Sequence, residues 1–178
     1  MKFITGNKNK YKEMLSVLPE LEQVDIDIPE IQELDGKKVI EAKIHETKKY
    51  LKDNEEFIVE DTSLVINEMN GMPGPLIKWF LKSLGLEGIW NLAKNLNDKS
   101  AVATVIIGYY SVDGLISFFE AQIEGHICEP RGEGFGWDSL FIPKGSDKSF
   151  GEMTYKEKSE FNARIRAAKE LQKYRDKK

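Results

Sequence analysis

The sequence predicts an α/β fold, a mixed sheet packed by helices. Three observations predict it. Segments with helical spacing of apolar residues interleave with short apolar runs along the whole chain, the alternation of a helix-flanked sheet. A hairpin signal, Val112-Asp113-Gly114, lies between two such runs and adds antiparallel pairing. Finally, 178 residues with 40% hydrophobic and 31% charged content suffice for one well-buried core. Neither a repeat nor a low-complexity stretch interrupts the chain, so residues 1–178 are expected to form one domain.

The elements follow in order. A first strand from Lys2 to Thr5 ends at a Gly6-Asn7 turn. A helix from about Lys8 to Leu18 follows, capped by Asn7, with Tyr11, Met14, Leu15 and Leu18 at helical spacing. Val24 to Ile28 alternates as a strand and stops at Pro29. Lys37 to Leu51 carries Val39, Ile40, Ile44, Thr47 and Leu51 on one broad face and reads as a helix. Phe57 to Val59 is a strand, and Leu64 to Ile66 another. Gly71-Met72-Pro73-Gly74-Pro75 is a loop, followed by helical stretches around Leu76 to Leu84 and Leu86 to Leu96. Ala101 to Tyr110 and Leu115 to Ile123 are the hairpin strands. A glycine-rich loop, residues 131–136, leads to the apolar run Leu140-Phe141-Ile142. The last helix starts at Thr154, where Thr154 and Glu157 have capping-box spacing, and runs to about Tyr174.

Composition narrows the function classes. A formal charge of -4 gives no global signature of nucleic-acid binding, although a small polyanion needs only a local basic cluster. The single cysteine, Cys128, excludes an intramolecular disulfide framework and suits a reducing compartment. No apolar run approaches the roughly 20 residues of a membrane span. The N-terminus turns polar too soon for a signal peptide, and a cytoplasmic location is expected.

Four segments carry candidate chemistry. Val59-Glu60-Asp61-Thr62-Ser63-Leu64 puts two adjacent carboxylates at a strand end, which is costly unless a cation offsets their desolvation. Strand alternation sends neighbouring side chains to opposite faces, so one shared site requires the strand to break there. In Thr5-Gly6-Asn7-Lys8-Asn9-Lys10, a strand turning through glycine into a helix aims free N–H groups at one point, an anion site, though the Walker spacing is absent. Glu30 on its own reads as a surface residue; with Glu60 and Asp61 it would suit magnesium, which takes one or two protein carboxylates beside water and phosphate. Phe135-Gly136-Trp137-Asp138 is either a slot for a base or a core aromatic cluster. Lys158, Asn162 and Arg164 on the terminal helix alone describe a wet face. His45 and His126 have no companions at zinc spacing, and no nucleophile elbow is present.

In this order the segments resemble the inosine triphosphate pyrophosphatase family. The matching pieces are Thr5-Gly6-Asn7 with its lysines, Pro29-Glu30, Val59 to Leu64, Gly74-Pro75-Leu76-Ile77-Lys78-Trp79-Phe80, Phe135 to Asp138, Phe150-Gly151-Glu152-Met153 and Lys158. The resemblance implies hydrolysis of non-canonical purine nucleoside triphosphates (ITP, XTP, dITP) to monophosphate and pyrophosphate with magnesium (Mg2+). It implies an elongated domain with a strongly twisted sheet and a cleft between two lobes, a homodimer, and no nucleic-acid or membrane partner. Glu30 and Glu60 then match metal ligands, and Asp61 the residue that activates water. Thr5, Gly6, Asn7, Lys8, Asn9, Lys10, Lys78 and Lys158 match phosphate-side residues and Lys43 another substrate lysine, while Phe135, Gly136, Trp137 and Asp138 would flank the base.

Two departures from the family pattern touch base recognition. Where the family carries Ser-His-Arg, this chain reads Asn162-Ala163-Arg164, so Arg164 remains to face the base but Ala163 offers no donor. The loss of one hydrogen bond, about 0.5–1.5 kcal/mol, amounts to roughly tenfold in discrimination. Ser139 stands where proline follows the aspartate, which would loosen a turn that positions the base. These departures allow an alternative: a nucleotide-binding module of the same fold with weak catalysis or altered base preference.

Overall fold

The computed structural model describes residues 1–52 and 54–177. In chain order the strands and α-helices are β1 (Lys2–Ile4), α1 (Lys8–Leu15), β2 (Glu22–Val24), α2 (Gly36–Thr47), β3 (Phe57–Ile66), β4 (Pro73–Gly74), α3 (Ile77–Ala93), β5 (Ser100–Tyr110), β6 (Ile116–Ile127), β7 (Phe141–Pro143), α4 (Tyr155–Phe161) and α5 (Ala163–Arg175). Seven strands form one sheet in the order β2-β1-β3-β5-β6-β7, with β4 paired to β3. The sheet is mixed: β1 runs parallel to β2 and β3, whereas β3/β4 and β6/β7 are antiparallel. This is the α/β class that the alternation predicts. No described helix is long and apolar enough to cross a membrane.

The chain divides into two compact units. The first comprises Met1–Thr62, Val105–Ala121 and Ala163–Lys178, and the second Ser63–Thr104 and Gln122–Asn162. In the first, Ile4, Ile40, Ile44, Phe57, Val59 and Ile106 form one buried cluster. Each fully buried aliphatic side chain there contributes about 1.5–3 kcal/mol. Helix α2 is capped by Asp35, which accepts the Lys37 N–H at 2.9 Å. Its buried stripe is Val39, Ile40, Lys43, Ile44 and Thr47, so a lysine occupies a core position and must find counter-charges. At Gly108 of β5 a Cβ would lie 2.3 Å from Ile40 Cγ2 and 2.9 Å from Ile44 Cδ1. Gly108→Ala is therefore expected to lower unfolding stability by about 1–3 kcal/mol, the cost of overpacking, measured by urea denaturation.

In the second unit Trp137, Phe141 and Phe150 pack ring to ring, with centroids 5.4–6.2 Å apart. Helix α3 is interrupted at Gly85 (φ 66, ψ -177), so the two helical stretches expected around that glycine are two segments meeting at a residue free to adopt positive φ. The hairpin between β5 and β6 closes where Val112-Asp113-Gly114 places it, with the Gly114 N–H donating to the Ser111 carbonyl at 3.0 Å.

Several boundaries differ from expectation. Helix α1 stops at Leu15 rather than Leu18, because the chain turns over Met14, whose carbonyl accepts both the Val17 and Leu18 N–H groups. The strand expected over Val24 to Ile28 is instead Glu22–Val24; β1 ends at Ile4 and pairs no further, yet Ile26 and Ile28 still pack on the core. Helix α2 ends at Thr47, not Leu51. Residues 57–66, expected as two strands, form one continuous strand. The terminal helix begins after the Thr154/Glu157 capping box as predicted, but it breaks at Asn162 (ψ 115) into α4 and α5.

Candidate functional site

Connections leave β1 toward β2 through α1 and return past it to β3 through α2, so the strand order reverses at β1. The carboxyl end of such a strand is where open α/β sheets bind ligands. Residues Thr5 to Lys10 lie there. The Thr5 hydroxyl accepts the Asn7 N–H at 3.1 Å, and Asn7 Oδ1 caps the N–H groups of Asn9 (2.9 Å) and Lys10 (3.1 Å). Two first-turn amides assigned to an anion are thus taken by the cap. Lys8 and Asn9 are exposed. A methyl at Gly6 would fall 2.6 Å from Asp25 Oδ1, so a larger residue there would require the Asp25 side chain to move. Register supplies the next link. Lys2 pairs with Phe57 and Phe3 with Ile58, and the same offset brings Thr5 level with Glu60. Lys10 then reaches Glu60 Oε2 at 2.7 Å.

Strand β3 does not break at the acidic pair, and the two carboxylates part as alternation requires. Glu60 and Thr62 share one partner: Arg164 Nη2 donates to Glu60 Oε1 (3.1 Å) and to Thr62 Oγ1 (2.8 Å). Thr62 in turn donates to Glu60, and Arg164 Nη1 pairs with Glu13. Asp61 goes elsewhere: its Oδ1 lies 2.8 Å from Lys43 Nζ, which also meets Glu30 Oε1 at 3.2 Å and the Glu60 carbonyl at 3.2 Å. Glu30 and Asp61 therefore share the Lys43 ammonium.

The two carboxylates titrate in opposite directions. Burial alone would raise the Glu60 pKa, but Arg164 and Lys10 outweigh it and hold Glu60 at about 2. For Asp61 burial wins over the attraction of Lys43 and Lys10, and its pKa lies above the ordinary 3.8. Lys43 is disfavoured as a cation by burial, yet Asp61 and Glu30 overcompensate and raise its pKa, so it stays an ammonium.

Arg164, expected to face the base, is only 4% exposed and sits between Glu13 and Glu60. The break at Asn162 is the cause, because it starts a new helix whose first turn carries Arg164. Glu13 is the site residue that the sequence reading passed over. Its signal was a carboxylate on the buried side of α1 beside Met14, one turn after Lys10.

In the second unit Asp138 Oδ2 accepts the Phe135 N–H at 3.1 Å and pairs with Lys158 at 2.8 Å. The Lys158 ammonium stands 4.4 Å from the Phe135 ring centroid. Gly136 is exposed at φ 65, whereas Trp137 belongs to the aromatic cluster with Phe141 and Phe150. Ser139 does not loosen the turn: it is buried, its hydroxyl donates to the Gly132 carbonyl (3.1 Å), and its carbonyl accepts the Arg131 N–H (3.0 Å). Lys78 lies exposed in the first turn of α3, its ammonium 5.7 Å from the Trp79 ring.

Among the described residues no three His, Cys, Asp or Glu side chains group as a metal cage. Magnesium does not need one, since water and substrate phosphates complete a shell begun by one or two carboxylates. The oxygens of Glu30, Asp61 and the Glu60 carbonyl, already gathered around the Lys43 ammonium, fit such an ion.

The Ham1 family profile matches residues 1–174. The chain is 37% identical over 177 residues to a protein of Schizosaccharomyces pombe named inosine triphosphate pyrophosphatase, covering 97% of this chain and 93% of that one. It is 34% identical over 181 residues to a protein of the same name from Kluyveromyces lactis, with the same coverage of 97% and 93%. Among solved structures, the Staphylococcus aureus Ham1 protein superposes with a TM-score of 0.83 at 22% identity, over 99% of this chain and 98% of that one. A HAM1 protein from Coxiella burnetii gives 0.79 at 22% identity over 100% of both chains. The fold is therefore shared with these structures, and with a profile match over nearly its full length the chain belongs to the Ham1 family.

Proposed function

We propose that the chain is a magnesium-dependent nucleoside triphosphate pyrophosphatase that hydrolyses non-canonical purine nucleotides (ITP, XTP, dITP) to the monophosphate and pyrophosphate. As a Ham1-family member it is a hydrolase acting on acid anhydrides, and its relatives are named for inosine triphosphate. The observation that carries the reading is the pair of adjacent carboxylates whose environments push their pKa values apart, Glu60 down and Asp61 up, beside two lysines. Such divergence marks a division of labour between a permanent charge and a proton acceptor. Those same relatives weigh against the catalytically weak module that Ala163 left open.

In this reading Glu30, Asp61 and the Glu60 carbonyl, the oxygens now around Lys43, would hold magnesium, which when bound neutralises phosphate oxygens. The Glu60 carboxylate, matched to a metal ligand by the resemblance, is paired with Lys10 and Arg164. Asp61 accepts a proton from water as the water oxygen bonds to the α-phosphorus and the bond to the bridging oxygen breaks, releasing pyrophosphate. Lys10 and Lys43 offset the charge developing on phosphate. Within the second unit, Asp138 and Lys158 hold the Phe135 loop and ring in place. With Ala163 donating nothing, preference for a 6-keto purine is expected to be about tenfold weaker than a further side-chain donor would give. The reading also has the chain acting as a cytoplasmic homodimer without nucleic acid, for which sedimentation as a monomer would remove the dimer. Pyrophosphate release from ITP, XTP, dITP, ATP and GTP at saturating magnesium tests the reaction. Turnover highest with the first three supports it, and no release from any of them sinks it.

A further inference from the structure

We infer that Lys43 is an internal counter-ion: its ammonium stands where a divalent cation would engage Glu30 and Asp61, and the two cations compete for those carboxylates. The inference rests on the proposed binding of a divalent ion at this site. Three oxygens from two segments of the chain converge on Lys43 Nζ: Glu30 Oε1 at 3.2 Å, Asp61 Oδ1 at 2.8 Å and the Glu60 carbonyl at 3.2 Å. That is a set of oxygen donors arranged around one positive charge, and a hard cation asks for the same donors. The ammonium is delivered by a side chain in the middle of α2's buried stripe, between Ile40 and Ile44, a place where a lysine is expensive unless it is paired.

Glu60's carboxylate is paired directly with Arg164 and Lys10. Displacing Lys43 takes its ammonium from Glu30 and Asp61, whose carboxylates the incoming ion then covers. The released ammonium becomes one more positive charge for an anionic ligand. Cation and polyphosphate each make room for the other, and by linkage the coupling is reciprocal.

The test is titration of the nucleotide-free full chain with Mn2+, followed calorimetrically. Lys43→Met is expected to bind Mn2+ at least about tenfold more tightly than wild type, within the range of ordinary site couplings. Lys43→Arg, which keeps the charge, stays near wild type. Inorganic tripolyphosphate should tighten Mn2+ binding to wild type, and much less so to Lys43→Met. Equal or weaker Mn2+ binding by Lys43→Met overturns the inference. Because that variant leaves two buried carboxylates without their lysine, reductive methylation of wild type supplies a second readout. Lys43 should be protected without Mn2+ and labelled with it, and labelling indifferent to Mn2+ also overturns the idea. Tighter Mn2+ binding together with no pyrophosphate release from any triphosphate leaves the inference standing and removes the proposed reaction. The reverse combination removes the inference alone.

Discussion

Asp61→Asn is expected to lower kcat for pyrophosphate release by about a hundredfold to ten-thousandfold, the range a positioned general base contributes. Asparagine keeps the shape and an oxygen for Lys43, so the fold and the nucleotide Kd should change little, while the proton acceptor is gone. Steady-state kinetics beside direct nucleotide binding separates the two. Near-normal kcat with unchanged binding would show that Asp61 does not handle water. The pH profile gives an independent check. Burial raises the Asp61 pKa above 3.8, so kcat/KM should rise with pH through a limb above that value as Asp61 deprotonates. In Asp61→Asn this limb should vanish.

The largest stability effect is expected for Arg164→Ala. Its guanidinium is shared by Glu13 and Glu60, and all three side chains are 5% exposed or less. Breaking a buried pair by removing one partner costs about 3–5 kcal/mol, because charge is left behind without compensation. Urea denaturation at neutral pH reads this directly, and Arg164→Ala combined with Glu13→Gln should recover part of it. The sign with pH follows from Glu60, whose pKa falls from 4.5 to about 2 on folding. A depressed carboxylate stabilises fully above about 4.5, and that contribution, about 3 kcal/mol, is lost as pH falls through about 2. In Arg164→Ala the stability should depend less on pH across this window. An undiminished acid slope in the variant would assign the acid sensitivity to other carboxylates.

Much of the fold was legible because it depends on local pattern. Asn7 as a cap, the Thr154/Glu157 box, the hairpin at Gly114 and the division of α3 at Gly85 are each decided by a few neighbouring residues. Errors gathered where pairing decides. Ile26 and Ile28 alternate like a strand but have no partner beyond Ile4, and Glu60-Asp61 remains in a strand because the flanking apolar residues continue the sheet. Asn162 lies inside an unbroken helical pattern, so nothing local announced the turn that redirects Arg164.

By itself the sequence determined the α/β class and marked Thr5–Lys10, Glu30, Glu60 and Asp61 as candidate chemistry, since residue type and spacing carry that information, and the family resemblance added Lys43. Only the tertiary structure decided which charge meets which. It gave Glu60 to Arg164, Lys10 and the unforeseen Glu13, and it gave Asp61 and Glu30 to Lys43. The physical reason is strand alternation combined with burial. Adjacent carboxylates on a continuous strand face opposite ways, and each must find its own cation among residues distant in sequence.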